Sequence, residues 1–225
     1  MRRVTKPLKP REEKYIFTEG VNYLKTGKAS IWGSGDKDTL KLLKELKIRG
    51  RWLNLAAGDG RYNLELLKKV DSIVATDIDE RALSKLWRNT PERYKPRLEI
   101  KAFDITKKFP FKNNSFDGVF CTGALHLFPI RVFKSLSYEI FRVLKPRGRV
   151  IIDFATDIKR ISSEGRLIKF GDELGYSLKE AKTLLKEVFS NYKSRTYESK
   201  VSEEVKKGNP SYKFSCNFIL LVADK

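Results

Sequence analysis

With 225 residues, 40% of them hydrophobic, the chain is long enough to bury a sizeable core and suits one α/β domain with short additions. Lys and Arg total 47 against 28 Asp and Glu, and the resulting formal net charge of +19 attracts polyanions without identifying one. RNA is one candidate partner; a strongly charged Lys/Glu-rich surface of the kind enriched in hyperthermophile proteins is the other account of the same numbers, and 33% charged residues with a single Met fit it. Cys121 and Cys216 each fall inside an apolar strand-like run, a placement that offers neither a disulfide framework nor metal-ligand spacing and leads to an expectation of a reducing, cytoplasmic setting. No apolar run approaches the ~20 residues that cross a bilayer, and Met1-Arg2-Arg3 leads into polar residues and prolines, so no membrane segment or export signal is expected.

Residues 1–35 read as a basic and aromatic arm and cap, in which Arg2, Arg3, Lys6, Lys9, Arg11 and Lys14 precede Tyr15, Phe17, Tyr23 and Trp32. Its end, Ile31-Trp32-Gly33-Ser34-Gly35-Asp36, suits either a segment closing over a ligand or a loop that packs Trp32 on the core. Residues 36–225 read as a single domain. Asp36 is placed to cap a helix over 38–47 that Gly50 ends, and a strand follows directly from Arg51. The chain then turns through Gly58 and Gly60 into helical spacing over 63–69, with the helix N-terminus aimed at any ligand held by the turn. Residues 72–77 form a short buried strand ending in Asp77, and Asp79 is the natural cap for a helix over 80–88. A third strand over 98–104 also ends in an acid, Asp104, and 115–122 gives a fourth.

An amphipathic helix over 129–144 is broken by Lys145-Pro146-Arg147-Gly148, and 149–155 is the most hydrophobic strand, expected at or near the sheet centre. A helix over 177–189 leads to strands over 194–203 and 214–223, joined by a link containing Asn209-Pro210 that is short enough to demand antiparallel pairing. The expected fold is α/β and Rossmann-like: a mostly parallel sheet, helices on both faces, and a C-terminal antiparallel hairpin strand.

The strand-turn-helix at 51–62 carries the most chemistry, because glycines at 58 and 60 let the backbone turn tightly and approach a ligand. A dinucleotide fingerprint requires a third glycine three positions after Gly60, where Asn63 stands, and this argues against NAD. Asn54-Leu55-Ala56-Ala57-Gly58-Asp59-Gly60-Arg61 instead resembles the first motif of class I S-adenosylmethionine-dependent methyltransferases, with Asn54 in place of the usual acid and Ala56 in place of the first glycine. Asp104 with Pro110-Phe111 and Ser115-Phe116-Asp117 is similar to a second family segment. Leu144-Lys145-Pro146-Arg147-Gly148 is similar to a third, with Arg147 replacing a glycine, so the resemblance runs from about Arg51 to Asp153.

That resemblance implies S-adenosyl-L-methionine as cofactor, held by Asn54, Ala56, Gly58, Gly60, Asp77, Ile78, Asp104, Ile105, Cys121 and Thr122. At the end of its strand, Asp77 is placed to accept hydrogen bonds from both ribose hydroxyls. Asp104 either accepts from an exocyclic amine such as adenine's or makes a turn. Methyl transfer from a sulfonium needs alignment first, and a general base is optional. His126, the only histidine, is the candidate catalytic base, with packing at a helix start as its alternative. The Asn/Asp-Pro-Pro-Tyr/Phe motif of amine methylation is absent at Cys121-Thr122-Gly123-Ala124, and Cys121, with no proline before it, reads as a buried strand residue. The acceptor is not legible. A small or medium-sized molecule, RNA gripped by the basic arm, and a binding protein that holds the cofactor without transferring a methyl group all remain open.

Overall fold

The computed structural model describes residues 34–168, 174–206 and 212–225, so the basic arm and the Asn209-Pro210 link lie outside the described residues. In chain order the elements are α1 (Ser34–Glu45), β1 (Arg51–Leu55), α2 (Asn63–Leu67), β2 (Ser72–Asp77), α3 (Glu80–Asn89), β3 (Leu98–Ala102), β4 (Phe116–Cys121), α4 (Ile130–Val143), β5 (Leu144–Ser162), α5 (Leu178–Val188), β6 (Lys193–Lys206) and β7 (Tyr212–Asp224). They build one 7-stranded sheet in the order β3-β2-β1-β4-β5-β7-β6. β1 pairs parallel with β2 and β4, β2 with β3, and β4 with β5; β7 runs antiparallel to both β5 and β6. The direction of chain progression across the sheet reverses between β1 and β4, which opens a crevice at the carboxyl ends of these strands.

Both faces of the sheet are covered, as the continuous apolar runs of its strands require. Leu53, Leu55, Val119, Val150, Ile152 and Ile219 pack under α4 and α5, which contribute Phe133, Leu136, Ile140, Leu184 and Leu185. On the other face Trp52, Ile73, Ala75, Phe120, Ile151 and Leu220 pack under Leu42 and Leu43 of α1, Leu66 and Leu67 of α2, and Leu83 and Leu86 of α3. The cap of α3 is the expected one, with the Asp79 carboxylate accepting from the Arg81 N–H. At α5 a capping box is complete, because Ser177 and Glu180 each accept from the other's backbone N–H.

Several boundaries differ from those the sequence indicates. α1 begins at Ser34, so Asp36 stands inside the first turn instead of capping it. Gly50 does not end α1 but opens β1: at φ +82 it lies so close to the Asp117 carboxyl group that an added Cβ would sit 2.4 Å from it. α2 stops at Leu67, and β3 stops at Ala102, two residues short of Asp104. The largest difference is β5, which starts at Leu144 and continues to Ser162. The Lys145-Pro146-Arg147-Gly148 stretch is absorbed as an irregularity between the Phe116↔Leu144 and Gly118↔Arg149 pairs, with Arg147 at φ +63. Beyond Ala155 the strand is carried onward by β7, which pairs with it as far as Ser162↔Tyr212. β5 is fifth in the order, beside the centre.

Gly118 fixes how closely β1 and β4 pack, because it stands opposite Trp52 and an added Cβ would fall 2.2 Å from the indole. We expect Gly118→Ala to cost about 1–3 kcal/mol of stability, the usual range for overpacking. Chemical denaturation measures it, and an unchanged midpoint would show that the indole has another place to go.

Candidate functional site

The loop leaving β1 is shaped by backbone rather than by side chains. Ala56, Gly58 and Gly60 have φ of +48, +54 and +90, all in the left-handed region. Ala57 N–H donates to the Thr76 carbonyl at 2.8 Å, Gly60 N–H to the Ala57 carbonyl at 3.0 Å, and Asn63 N–H to the Gly60 carbonyl at 2.9 Å. The loop is thus tied to the end of β2 and feeds straight into α2. Ala56 takes the conformation a glycine would, at a cost of roughly 1–2 kcal/mol for a residue with a Cβ, so the backbone path survives the substitution.

The two glycines serve different ends. Among the described residues nothing lies within 4 Å of a Cβ built on Gly58, whereas one built on Gly60 meets Leu86 of α3 at 2.7 Å. Gly58 therefore presents backbone that no described side chain covers, and Gly60 packs the loop on a helix. Asn54, which stands in place of the usual acid, meets Asn63, which stands where a dinucleotide fingerprint has glycine: Asn54 Nδ2 donates to Asn63 Oδ1 at 3.4 Å, and both residues are buried. Among the described residues Asn63 Nδ2 has no acceptor, a buried donor beside the loop that a polar ligand would satisfy.

Asp77 closes the other side. Its Oδ2 accepts from Gly58 N–H at 2.8 Å and its Oδ1 from Asp79 N–H at 3.0 Å. Burial pushes its pKa up, opposed by the N–H groups of Asp79 and Gly58. Ile78, half-buried, follows it. Phe103 N–H donates to the Asp77 carbonyl at 3.1 Å and so brings the end of β3 alongside. There Asp104 Oδ1 accepts from the backbone and hydroxyl of Thr106 at 2.8 and 2.7 Å, which is the turn reading of this residue, while the Ile105 side chain is sunk in the core below.

At the end of β4, Cys121 is paired in register with Leu55, and its side chain is fully buried. Burial, then the Asp153 and Asp77 carboxylates, push the thiol well above its ordinary range, so it is no nucleophile. The half-buried Thr122 leads into Gly123, whose N–H donates to Asp153 Oδ1 at 2.7 Å. His126 sits in a short 3-10 turn, Leu125–Leu127, its ring set edge-on to Phe154 with centroids 6.3 Å apart. Burial takes its pKa down to about 4. A base so weak is unprotonated at neutral pH and has little driving force to accept a proton there.

The structure thus gathers Asn54, Ala56, Gly58, Gly60, Asp77, Ile78, Cys121 and Thr122 along the carboxyl ends of β1, β2 and β4, with Asp104 and Ile105 beside them after β3. Sequence reasoning missed Asp153, although an acid in the middle of the most hydrophobic run, at Ile152-Asp153-Phe154, was a visible signal. Among the described residues no group of three or more His, Cys, Asp or Glu could hold a metal ion, and no helix is long and apolar enough to cross a membrane.

Comparison with known proteins fits this geometry. Residues 53–152, the span from β1 into β5, match the family model for a methyltransferase domain. Over that span, less than half of its length, the chain is similar to a methyltransferase domain. An uncharacterized protein of Haemophilus influenzae is 29% identical over 137 residues, 59% of this chain and 54% of its own length, so the chain spans about half of that curated relative. Among solved structures, the YcgJ protein from Bacillus subtilis aligns over 85% of this chain and 98% of its own, with 14% identity and a TM-score of 0.59. A putative methyltransferase from Bacillus halodurans aligns over 86% and 99%, with 17% identity and a TM-score of 0.60. DhpI in its SAH complex aligns over 84% and 83%, with 20% identity and a TM-score of 0.57. At these identities the likenesses establish the fold.

Two outcomes follow from the geometry. Both Gly58→Ala and Gly60→Ala carry the ~1 kcal/mol cost of a left-handed alanine. Gly60→Ala should lose a further ~1–3 kcal/mol against Leu86, and Gly58→Ala should instead lose affinity for S-adenosylhomocysteine by roughly tenfold or more. Thermal melts and titration calorimetry on both variants separate the two, and equal effects would remove the distinction between the glycines.

The second outcome concerns pH. His126 is held neutral in the fold but protonates near 6.5 when unfolded, so its contribution is complete above pH 6.5 and is lost as pH falls toward about 4. The loss amounts to about 3 kcal/mol across that window. His126→Phe should flatten the corresponding part of the stability profile in urea titrations, and an unchanged slope would contradict the buried neutral imidazole.

Proposed function

We propose that this chain binds S-adenosylmethionine across the carboxyl ends of β1, β2, β3 and β4 and transfers its methyl group to a small or medium-sized acceptor. The observation that carries the reading is the Gly58 N–H held by the Asp77 carboxylate at 2.8 Å, at a glycine whose Cβ position meets no described residue within 4 Å. The residues fit such a ligand. Asp77 offers a carboxylate to a ribose diol, Asn63 Nδ2 is a buried donor with no acceptor among the described residues, and Gly58 leaves room among them for a ligand against the backbone. When bound, the cofactor supplies a sulfonium-activated methyl group.

The protein's part is orientation and exclusion of water. Asp153 holds the turn after β4 through Gly123, and the half-buried Tyr176, whose hydroxyl donates to the Phe128 carbonyl at 2.7 Å, ties the 174–178 segment to the same turn. Asp157, at φ +50 in the β5 bulge, donates its N–H to the Tyr176 carbonyl at 2.8 Å and accepts at Oδ2 from Leu178 N–H and Asn217 Nδ2. A cavity of about 310 Å³ lined by Asp157, Lys159, Cys216 and Asn217 adjoins this junction and supports an acceptor framed by β5, β7 and the 174–178 segment. With His126 at a pKa of about 4, the transfer rests on alignment rather than on that histidine as base. A cytoplasmic setting accords with two buried cysteines that form no disulfide among the described residues.

RNA as the acceptor is the second reading, favoured by one surface. A groove of about 370 Å³ beside Asp104 runs between exposed Lys107 and Lys108 and α4, where Tyr138 is 69% exposed, an arrangement of cations and an aromatic ring that suits phosphates and a stacked base. Transfer of radiolabelled methyl groups from S-adenosylmethionine into tRNA, rRNA and metabolite extracts tests both acceptors, and absence of turnover with intact cofactor binding would leave a binding protein. Asp77→Ala should weaken binding of S-adenosylmethionine by about 1.5–3 kcal/mol, the range for hydrogen bonds to a charged group. Calorimetry on a folded variant with unchanged affinity would remove Asp77 from the ribose role.

A further inference from the structure

Lys85 Nζ on α3 lies 3.1 Å from Asp59 Oδ2, and the two side chains are only 11% and 5% exposed. Asp59 is the residue between Gly58 and Gly60, so the pair grips the loop at its middle, from the side where Gly60 packs on Leu86, the residue next to Lys85.

Stability alone is a poor reason for such a pair. Taking two charges out of water offsets most of their attraction, and a well-packed apolar pair of similar volume is often at least as stable. What an ion pair adds is a fixed direction, because an Nζ–Oδ2 contact specifies where the Asp59 carboxylate must lie and an apolar contact does not. The consequence for the loop is definite. Asp59 follows Gly58, whose N–H must meet Asp77 Oδ2, while Asp77 Oδ1 accepts from Asp79, the residue that caps α3. α3 therefore reaches the loop twice, through its N-terminus by way of Asp77 and through its inner face by way of Lys85. With glycines on either side, Asp59 is the one residue of that tripeptide with a side chain for the helix to hold.

We propose that Lys85 is a positioning residue for the cofactor loop: through Asp59 it holds the Gly58 peptide in the orientation that the ligand meets, so that affinity for the cofactor depends on a lysine that does not touch it. The inference rests on the S-adenosylmethionine reading above.

The test is a double-mutant cycle on the full chain with Lys85→Met, Asp59→Asn and the pair together, each variant measured for S-adenosylhomocysteine affinity by calorimetry and for thermal midpoint on the same sample. Each single variant is expected to weaken binding roughly tenfold or more where its far-ultraviolet spectrum is still native, and the double variant to be no weaker than the worse single, as coupled partners require. Asp59→Asn keeps the shape and removes the charge that Lys85 pairs with, so it reports even if Lys85→Met fails to fold. Lowered midpoints with affinities within about twofold of wild type, or single effects that add in the double variant, would make the pair a structural contact and overturn the proposal. Failure of the wild-type chain itself to bind S-adenosylhomocysteine overturns the cofactor reading instead, and the proposal with it.

Discussion

The Asp77 carboxylate is the point on which the rest of the site depends. One of its oxygens holds a backbone N–H from the loop after β1, the other holds the N–H of the residue that caps α3, and its carbonyl takes the N–H that follows β3. Three separate segments are thereby set relative to a single strand end. Hydrogen bonds to a charged group contribute about 1.5–3 kcal/mol each, and the acid accepts them while half-buried, where burial raises its pKa and the donors resist that rise. A ligand diol arriving here meets an acceptor whose geometry the protein has already fixed.

The sheet explains why that acid is where it is. β1 and β2 are parallel neighbours, with Asn54 opposite Ala75, so the loop leaving β1 and the end of β2 emerge on the same edge. β4 joins on the far side of β1, and its end brings Cys121 level with Leu55 and Ile152. Further on, β5 and β7 outrun the parallel strands as a long antiparallel pair. The bulge between Thr156 and Lys159 sets Asp157 at φ +50, where its carboxylate and backbone gather the 174–178 segment. The edge that presents the proposed cofactor site thus also gains a wall.

Much of this was legible in the sequence, and the reasons differ by residue. The strand ending in Asp77 showed because a short apolar run stopped at an acidic residue, a signal local to a few positions, whereas the fourth strand, expected over 115–122, ends one residue earlier at Cys121. The α/β alternation and the closing antiparallel pair followed from element order and link length. Asp104 was read as ending its strand, but pairing with β2 stops at Asp77↔Ala102, a limit set by the neighbour and not by the run 98–104 itself. Lys145-Pro146-Arg147-Gly148 carries every local mark of a break, yet lies within β5 because strands on both sides hold the backbone. The matched pairs Asn54 with Asn63 and Asp59 with Lys85 were hidden, since each needs the fold to show which residues meet. His126 drew notice as the only histidine, and its identity said nothing of the burial that takes it to about 4.

A nucleoside joined through sulfur to an amino acid, and not a dinucleotide, is proposed to fit against the Gly58 loop and Asp77. Titrating the wild-type chain in parallel with S-adenosylhomocysteine and with NAD tests it most directly. The account predicts a saturable one-to-one isotherm for the first and none for the second; saturable binding of NAD, or of neither ligand, would contradict it.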